Sequence, residues 1–221
     1  LYIAETKHSK TVFRFSTKDC AYRNFYLSKL LRKYSIPVPD VQVCTFDGDI
    51  YCEKYPFIEG KTLYERHLAG ISPETTKKVY TQLCQICYQM SQIPVQEFAA
   101  LNLPVCKTDI FFRLINRSHR VIGHNDLNDK NILLDQDDNV RAIIDLDSIS
   151  LKPFEFFLIL VFEIAQEKGY EYNVASIKDF YPSTYREQDL LNLSRQHKIY
   201  KKIVSIKNML LEKQTIIANL K

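Results

Sequence analysis

The stretch from Val121 to Asp147 constrains this chain more than any other. A short apolar strand, Val121-Ile122-Gly123, runs into the polar loop His124-Asn125-Asp126-Leu127-Asn128-Asp129-Lys130-Asn131. A second apolar strand follows, Ile132-Leu133-Leu134. Asp135 to Asn139 is rich in turn formers, and Val140 to Ile144 can pair back on that strand. The hairpin delivers Asp145 beside the loop that carries Asp126 and Asn131. Two carboxylates and an amide oxygen are thus brought towards one place by local structure alone.

That set suits phosphoryl transfer to an alcohol. The attacking hydroxyl needs a carboxylate to orient it and take its proton. The triphosphate needs magnesium, a hard cation that takes oxygen ligands from a few residues and keeps several waters. Transfer then proceeds by positioning and charge neutralisation. An isolated Asp or Asn in a loop is more often a turn former or cap. Here loop, hairpin and flanking strands agree, which favours the chemical reading.

Around this centre the sequence reads as mixed α and β structure. Leu1 to Glu5 and Thr11 to Ser16 read as an antiparallel pair of strands. Asp19 is placed to cap a helix whose apolar positions are Tyr22, Tyr26, Leu30 and Tyr34, with Leu27 and Leu31 beside them; Pro37 and Pro39 end it. Val41 to Thr45 and Ile50 to Lys54 alternate around Asp47-Gly48, a hairpin signal. Tyr55 to Gly60 forms a crossing segment.

Ser72-Pro73-Glu74 opens a helix with the stripe Val79, Leu83, Ile86 and Met90, stopped by Pro94. Phe111 to Ser118 reads as a further helix. Lys152-Pro153 starts a strongly apolar one, and helical spacing returns from Arg186 to the end. The expected architecture is α+β with two lobes. Residues 1–55 form a small sheet lobe with one helix, and residues 56–221 form a larger, mostly helical lobe.

Composition excludes little. The 221 residues carry 30 basic and 26 acidic side chains, a net charge of +4, with the signs mixed along the chain. No nucleic-acid partner is implied. The longest apolar run, Phe156 to Ala165, is interrupted by Glu163 and is too short to span a bilayer, so no membrane partner is implied. Cys84 and Cys87 form a C-x-x-C inside an apolar helical stripe and read as small core residues. The six scattered cysteines fit a reducing, cytoplasmic compartment.

The pattern H-x-D-x-x-x-x-N followed by I-I-D resembles the catalytic loop and metal-binding segment of the aminoglycoside phosphotransferase and choline kinase group, relatives of the protein kinases. Thr11-Val12-Phe13-Arg14-Phe15 resembles that group's strand with a phosphate-contacting basic residue. Ile36-Pro37-Val38-Pro39 and Ile58-Glu59-Gly60 with Leu63 resemble its connecting segments. The likeness covers roughly residues 11–165.

The resemblance implies Asp126 as catalytic base and Asn131 and Asp145 as ligands of Mg2+. It implies Arg14 at the phosphates of ATP or GTP, and the backbone around Lys54, Tyr55 and Phe57 facing the base. His124 braces the loop, and Asp147 is placed either near a second metal or in solvent. Lys130 reads as solvated, as does the group Arg113, Arg117, His119 and Arg120. The implied acceptor is a hydroxyl on an aminoglycoside, an amino alcohol such as choline, or a sugar.

Three departures stand out. No glycine-rich phosphate loop is present, so the covering strand and loop are expected upstream of Leu1 or not at all. The stretch from Pro94 to His124 is short for the group. Asn24 stands where the group's first helix presents a Glu to the basic strand residue, with no acid nearby, so the pairing of Arg14 with an acid is expected to be lost. That departure keeps a second reading open, a kinase-shaped binding or regulatory module without turnover.

Overall fold

The computed structural model describes residues 1–7, 9–46, 50–99, 101 and 120–153, together with the isolated helical positions 192, 195, 196, 198, 199 and 202. The expected helices at Phe111 to Ser118 and after Pro153, and most of the one from Arg186, lie outside the described residues.

Strands β1 (Tyr2–Glu5), β2 (Lys10–Ser16), β3 (Gln42–Phe46) and β4 (Ile50–Pro56) form one antiparallel sheet in the order β1-β2-β4-β3. Arg14 lies opposite Glu53 in the β2–β4 register, so both side chains leave the same face. Helix α1 (Lys18–Lys33) packs on β3 and β4. Its N-cap is Thr17, whose side chain accepts from the Cys20 N–H; Asp19 sits in the first turn instead of capping. Its C-terminus closes with Ser35 left-handed (φ 59°) and with bonds from Ile36 N to Leu31 O and Ser35 N to Arg32 O, each 3.0 Å. This is a Schellman ending without glycine.

The buried face of α1 differs from the expected aromatic stripe. Tyr22 and Tyr26 are exposed, while Asn24, Leu27, Ser28 and Leu31 are buried. Spacings of three and four residues align these on one side. Two polar members hid that face from a hydrophobicity pattern, and each is buried with partners. The Ser28 hydroxyl donates to Pro39 O at 2.6 Å and accepts from Val41 N at 3.1 Å, tying the helix to the proline segment behind it.

Past β4 the chain crosses to β5 (Lys61–Thr62), α2 (Leu63–Leu68) and α3 (Pro73–Ser91). Thr62 and Glu65 form a capping box on α2, and Ser72 caps α3 with Pro73 in its first turn. The α3 stripe is buried as expected, with Cys84 and Cys87 inside it; among the described residues all cysteines are free thiols.

α4 (Val95–Ala99) follows, then β6 (Arg120–His124), β7 (Ile132–Leu134), β8 (Val140–Ile143) and β9 (Ile149–Pro153). β5, β7 and β8 form one small sheet, and β6 pairs with β9. Lys152 and Pro153 therefore belong to strand β9. A single apolar core runs from Leu27, Leu31 and Ile36 through the α3 stripe to Val121, Ile132, Ile143 and Leu151.

The β5–β7 contact is close. A Cβ on Gly60 would stand 2.3 Å from the Leu134 carbonyl oxygen, so any side chain there must push two backbones apart. Gly60→Ala is expected to lower stability by about 1–3 kcal/mol, measured by urea unfolding. An unchanged midpoint would show that the segment yields freely.

Among the described residues no helix is long and apolar enough to cross a membrane.

Candidate active site

His124, at the end of β6, is almost fully buried and organises the polar loop. Its Nδ1 accepts from the Asp126 N–H at 3.2 Å, which leaves Nε2 to carry the proton and donate to Ile144 O at 2.9 Å. Burial, opposed by the Ile144 carbonyl and the charges of Asp145 and Asp126, lowers its pKa and favours the neutral ring. One imidazole therefore joins the loop of Asp126 to the segment of Asp145.

Inside the loop, Asp126 is exposed and held at both oxygens. Asn128 Nδ2 donates to Oδ1 at 2.8 Å and Asn131 Nδ2 to Oδ2 at 3.1 Å. The Asn131 amide also donates to the Asp126 carbonyl at 2.8 Å. With its NH2 group committed in this way, Asn131 has its side-chain oxygen left for a cation. The hairpin closes on this loop: Ile144 N donates to Asn131 O at 2.9 Å, and Ile143 N to Pro37 O at 2.8 Å.

Asp145 follows in the left-handed conformation (φ 64°, ψ 61°), unusual for a residue with a side chain. Such a conformation carries a cost on the order of 1 kcal/mol and is found where surrounding structure imposes it. Here it turns the chain from β8 into a 3-10 turn over Leu146–Ser148. The Asp145 side chain is 39% exposed, with Ser148 Oγ at 3.4 Å from one oxygen and Arg14 Nη2 at 4.0 Å from the other.

Arg14 faces this segment from β2. It bonds directly to Asp147, with Glu53 at 3.7 Å and Asp145 at 4.0 Å. Asp147 is shared widely: Arg23 pairs with it, Asn24 Nδ2 donates to it at 2.9 Å, and Cys20 Sγ at 3.0 Å. Burial raises the pKa of Asp147, but hydrogen bonds from Cys20, Asn24 and Arg14 and the Arg14 charge outweigh it and bring the carboxyl to about 2. Asp147 is neither a solvated turn residue nor a free metal ligand. Cys20, Glu53 and Asp147 lie within 4.8 Å of one another, yet the Arg14 and Arg23 guanidiniums already face their oxygens, and a further cation would be repelled.

The expectation that Arg14 lacks an acid is corrected. Asn24 has carboxylates beside it, contributed by β4 and by the segment after β8, and its amide bonds Glu53 Oε1 at 2.9 Å. Sequence distance concealed this: Glu53 is 29 residues from Asn24 and Asp147 is 123. The signal that could have found Glu53 is the alternation of β4, which puts it between Tyr51 and Tyr55 on the face that Arg14 shares.

The residues expected at the base have mixed positions. Lys54 is exposed and opposite Phe13, on the sheet face away from Arg14. Tyr55 is partly buried on the Arg14 face, and burial and the Glu53 charge raise its hydroxyl pKa, opposed by Arg14. Phe57 N donates to Lys10 O at 2.9 Å, so that N–H is not available to a ligand, and Pro56 has none. Lys130 is exposed, with Nζ 5.2 Å from the Tyr64 ring centroid.

No protein-family model matches the sequence, and no curated protein does either. Solved structures do match in fold. The GDP complex of wild-type aminoglycoside 2'-phosphotransferase-IIIa superposes with a TM-score of 0.66 at 16% identity, over 88% of this chain and 76% of that one. The streptomycin–ATP ternary complex of APH(2")-IIa gives 0.54 at 10% identity, over 81% and 80%. The apoenzyme of a macrolide 2'-phosphotransferase from Brachybacterium faecium gives 0.50 at 16%, over 80% and 76%. The chain therefore has the α+β, protein-kinase-like fold of the aminoglycoside phosphotransferases.

Proposed function

We propose that this protein is a phosphotransferase that moves the γ-phosphoryl group of ATP or GTP to a hydroxyl of a small molecule. The observation that carries this reading is the locked pair of Asp126 and Asn131, with Asp145 returned beside them by the β7–β8 hairpin. The nucleotide complexes among the solved structures of this fold support it. The division into a sheet lobe of residues 1–55 and a larger second lobe belongs to the same reading, and β4 runs to Pro56 at that boundary.

Asp126 is the base. Its carboxylate is exposed, fixed by two side-chain amides, and carries no cationic partner among the described residues, so it can orient an incoming hydroxyl and accept its proton. Asn131 and Asp145 fit a hard divalent cation, since each offers oxygen and the Asn131 amide nitrogen is turned inward. Bound magnesium would supply charge neutralisation at the transferring phosphoryl group. Arg14 reaches the phosphates by exchanging Asp147 for phosphate oxygens, both being acceptors of its planar fork. At the base, Ile58 is the first described residue past β4 whose N–H no strand partner takes.

A nucleoside triphosphate with Mg2+ at about 100 times its dissociation constant is expected to stabilise the protein by about 2.7 kcal/mol. That corresponds to roughly 5–10 °C in the unfolding midpoint for a chain of this size. Differential scanning fluorimetry with ATP and with GTP, each with and without Mg2+, reads it directly. A flat response to both nucleotides would refute the reading. Binding without nucleotide consumption, across a panel of aminoglycosides, amino alcohols and sugars, would favour the second reading, a module without turnover. The contact of Arg14 with Asp147 is the observation that speaks for that alternative.

A further inference from the structure

Arg14 has to stay aimed into the site while its closest partner changes. Asp147 stands where it competes with phosphate for the same guanidinium. If Arg14 had only that acid, its release would leave a long, flexible cation without a fixed counter-charge. Glu53 supplies one from a different direction. It lies directly opposite Arg14 in the β2–β4 register, is 2% exposed, and has its Oε2 3.7 Å from Arg14 Nη1, while Asp147 takes Nη2. Glu53 is itself held: Asn24 Nδ2 donates to its Oε1 at 2.9 Å, and Ser16 Oγ stands 3.3 Å from the same oxygen. The same Asn24 nitrogen bonds Asp147 at 2.9 Å, so one amide spaces the two carboxylates that flank Arg14.

We propose that Glu53 is the positioning residue for Arg14, a strand-borne acid that holds the guanidinium in place when Asp147 is exchanged for nucleotide phosphate. The inference rests on the phosphotransferase reading for Arg14 and adds to it. A buried carboxylate pays the cost of burial and persists only with partners. Burial raises the Glu53 pKa, and the Arg14 charge and the Asn24 bond oppose the rise, in keeping with a pair built around Arg14. Asn24 follows from the same geometry: an acid at that position would face both Glu53 and Asp147, whereas an amide can donate to both.

The test uses the full chain and isothermal titration with ATP and GTP, each with Mg2+, and with the corresponding nucleosides. Glu53→Gln keeps the shape and removes the charge. It is expected to weaken triphosphate binding about ten-fold while changing nucleoside binding less than about two-fold. A side chain that only fills space would weaken both alike. In an Arg14→Ala background, Glu53→Gln is expected to add less than about two-fold, because the acid acts through the arginine.

Equal losses for triphosphate and nucleoside, an unchanged triphosphate affinity, or independent effects of the two substitutions would each overturn the assignment. If Glu53→Gln does not fold, Glu53→Asp, which keeps the charge and retracts it by one methylene, carries the same comparison. Failure of the wild-type protein to bind either triphosphate would instead remove the nucleotide reading, and this one with it.

Discussion

Asp126→Asn is expected to lower turnover by about three orders of magnitude while leaving triphosphate affinity within about three-fold of wild type. The substitution keeps the side chain's size, and its amide oxygen can still accept from Asn131 or Asn128, the two groups that hold it. What disappears is the capacity to take a proton. The carboxylate is exposed, and the buried group that its charge reaches, His124, is kept neutral by its own burial. The unfolding midpoint should therefore move by no more than about 2 °C. The contrast separates the role of a base from that of a fold determinant. Nucleotide consumption with an accepted alcohol gives the rate, and titration gives the affinity. A variant retaining more than about a tenth of the wild-type rate would place the base elsewhere.

Much of that site was legible in the sequence because its logic is local. The strand Val121 to Gly123, the loop to Asn131 and the hairpin to Ile144 lie within a couple of dozen residues, and turn formers at Asp135 to Asn139 fix how the segments meet. Buried α3 was equally plain, since Ser72, Pro73 and an unbroken apolar stripe all point the same way. The surroundings of Arg14 were not legible. They join β2, α1, β4 and the segment after β8, and no period or motif relates Arg14 to Glu53 or Asp147. The buried side of α1 was misread for the same physical reason. Asn24 and Ser28 satisfy their polar groups against distant residues, so the helix can bury them, and hydrophobicity alone selects the exposed tyrosines instead. The short strand β9 escaped notice because its partner β6 lies across the whole loop and hairpin between them.

The second large effect is expected at Asp147, and it is one of stability. Four groups from the first 24 residues meet this carboxylate: Arg14, Cys20, Arg23 and Asn24. Asp147→Ala would leave two partly buried guanidiniums facing each other, with Glu53 and Asp145 the remaining acids near Arg14, and would strip a partner from the fully buried Asn24 amide. A loss of about 3 kcal/mol is expected, or roughly 6–12 °C in the unfolding midpoint. The dependence on pH identifies the cause. The Asp147 pKa falls from 3.8 unfolded to about 2 in the folded protein, so its contribution is fully present above about pH 4 and disappears as pH drops towards 2. Discounted for the solvent that still reaches this carboxyl, the shift corresponds to at most about 2 kcal/mol. Urea unfolding of wild type and Asp147→Asn should show a gap that is constant from neutral pH to about 4 and closes below it. Only the titration of this carboxyl closes the gap in that window; loss of packing alone would leave it constant at every pH. A constant gap would show that Asp147 joins the N-terminal sheet and helix to the segment after β8 by shape and not by charge.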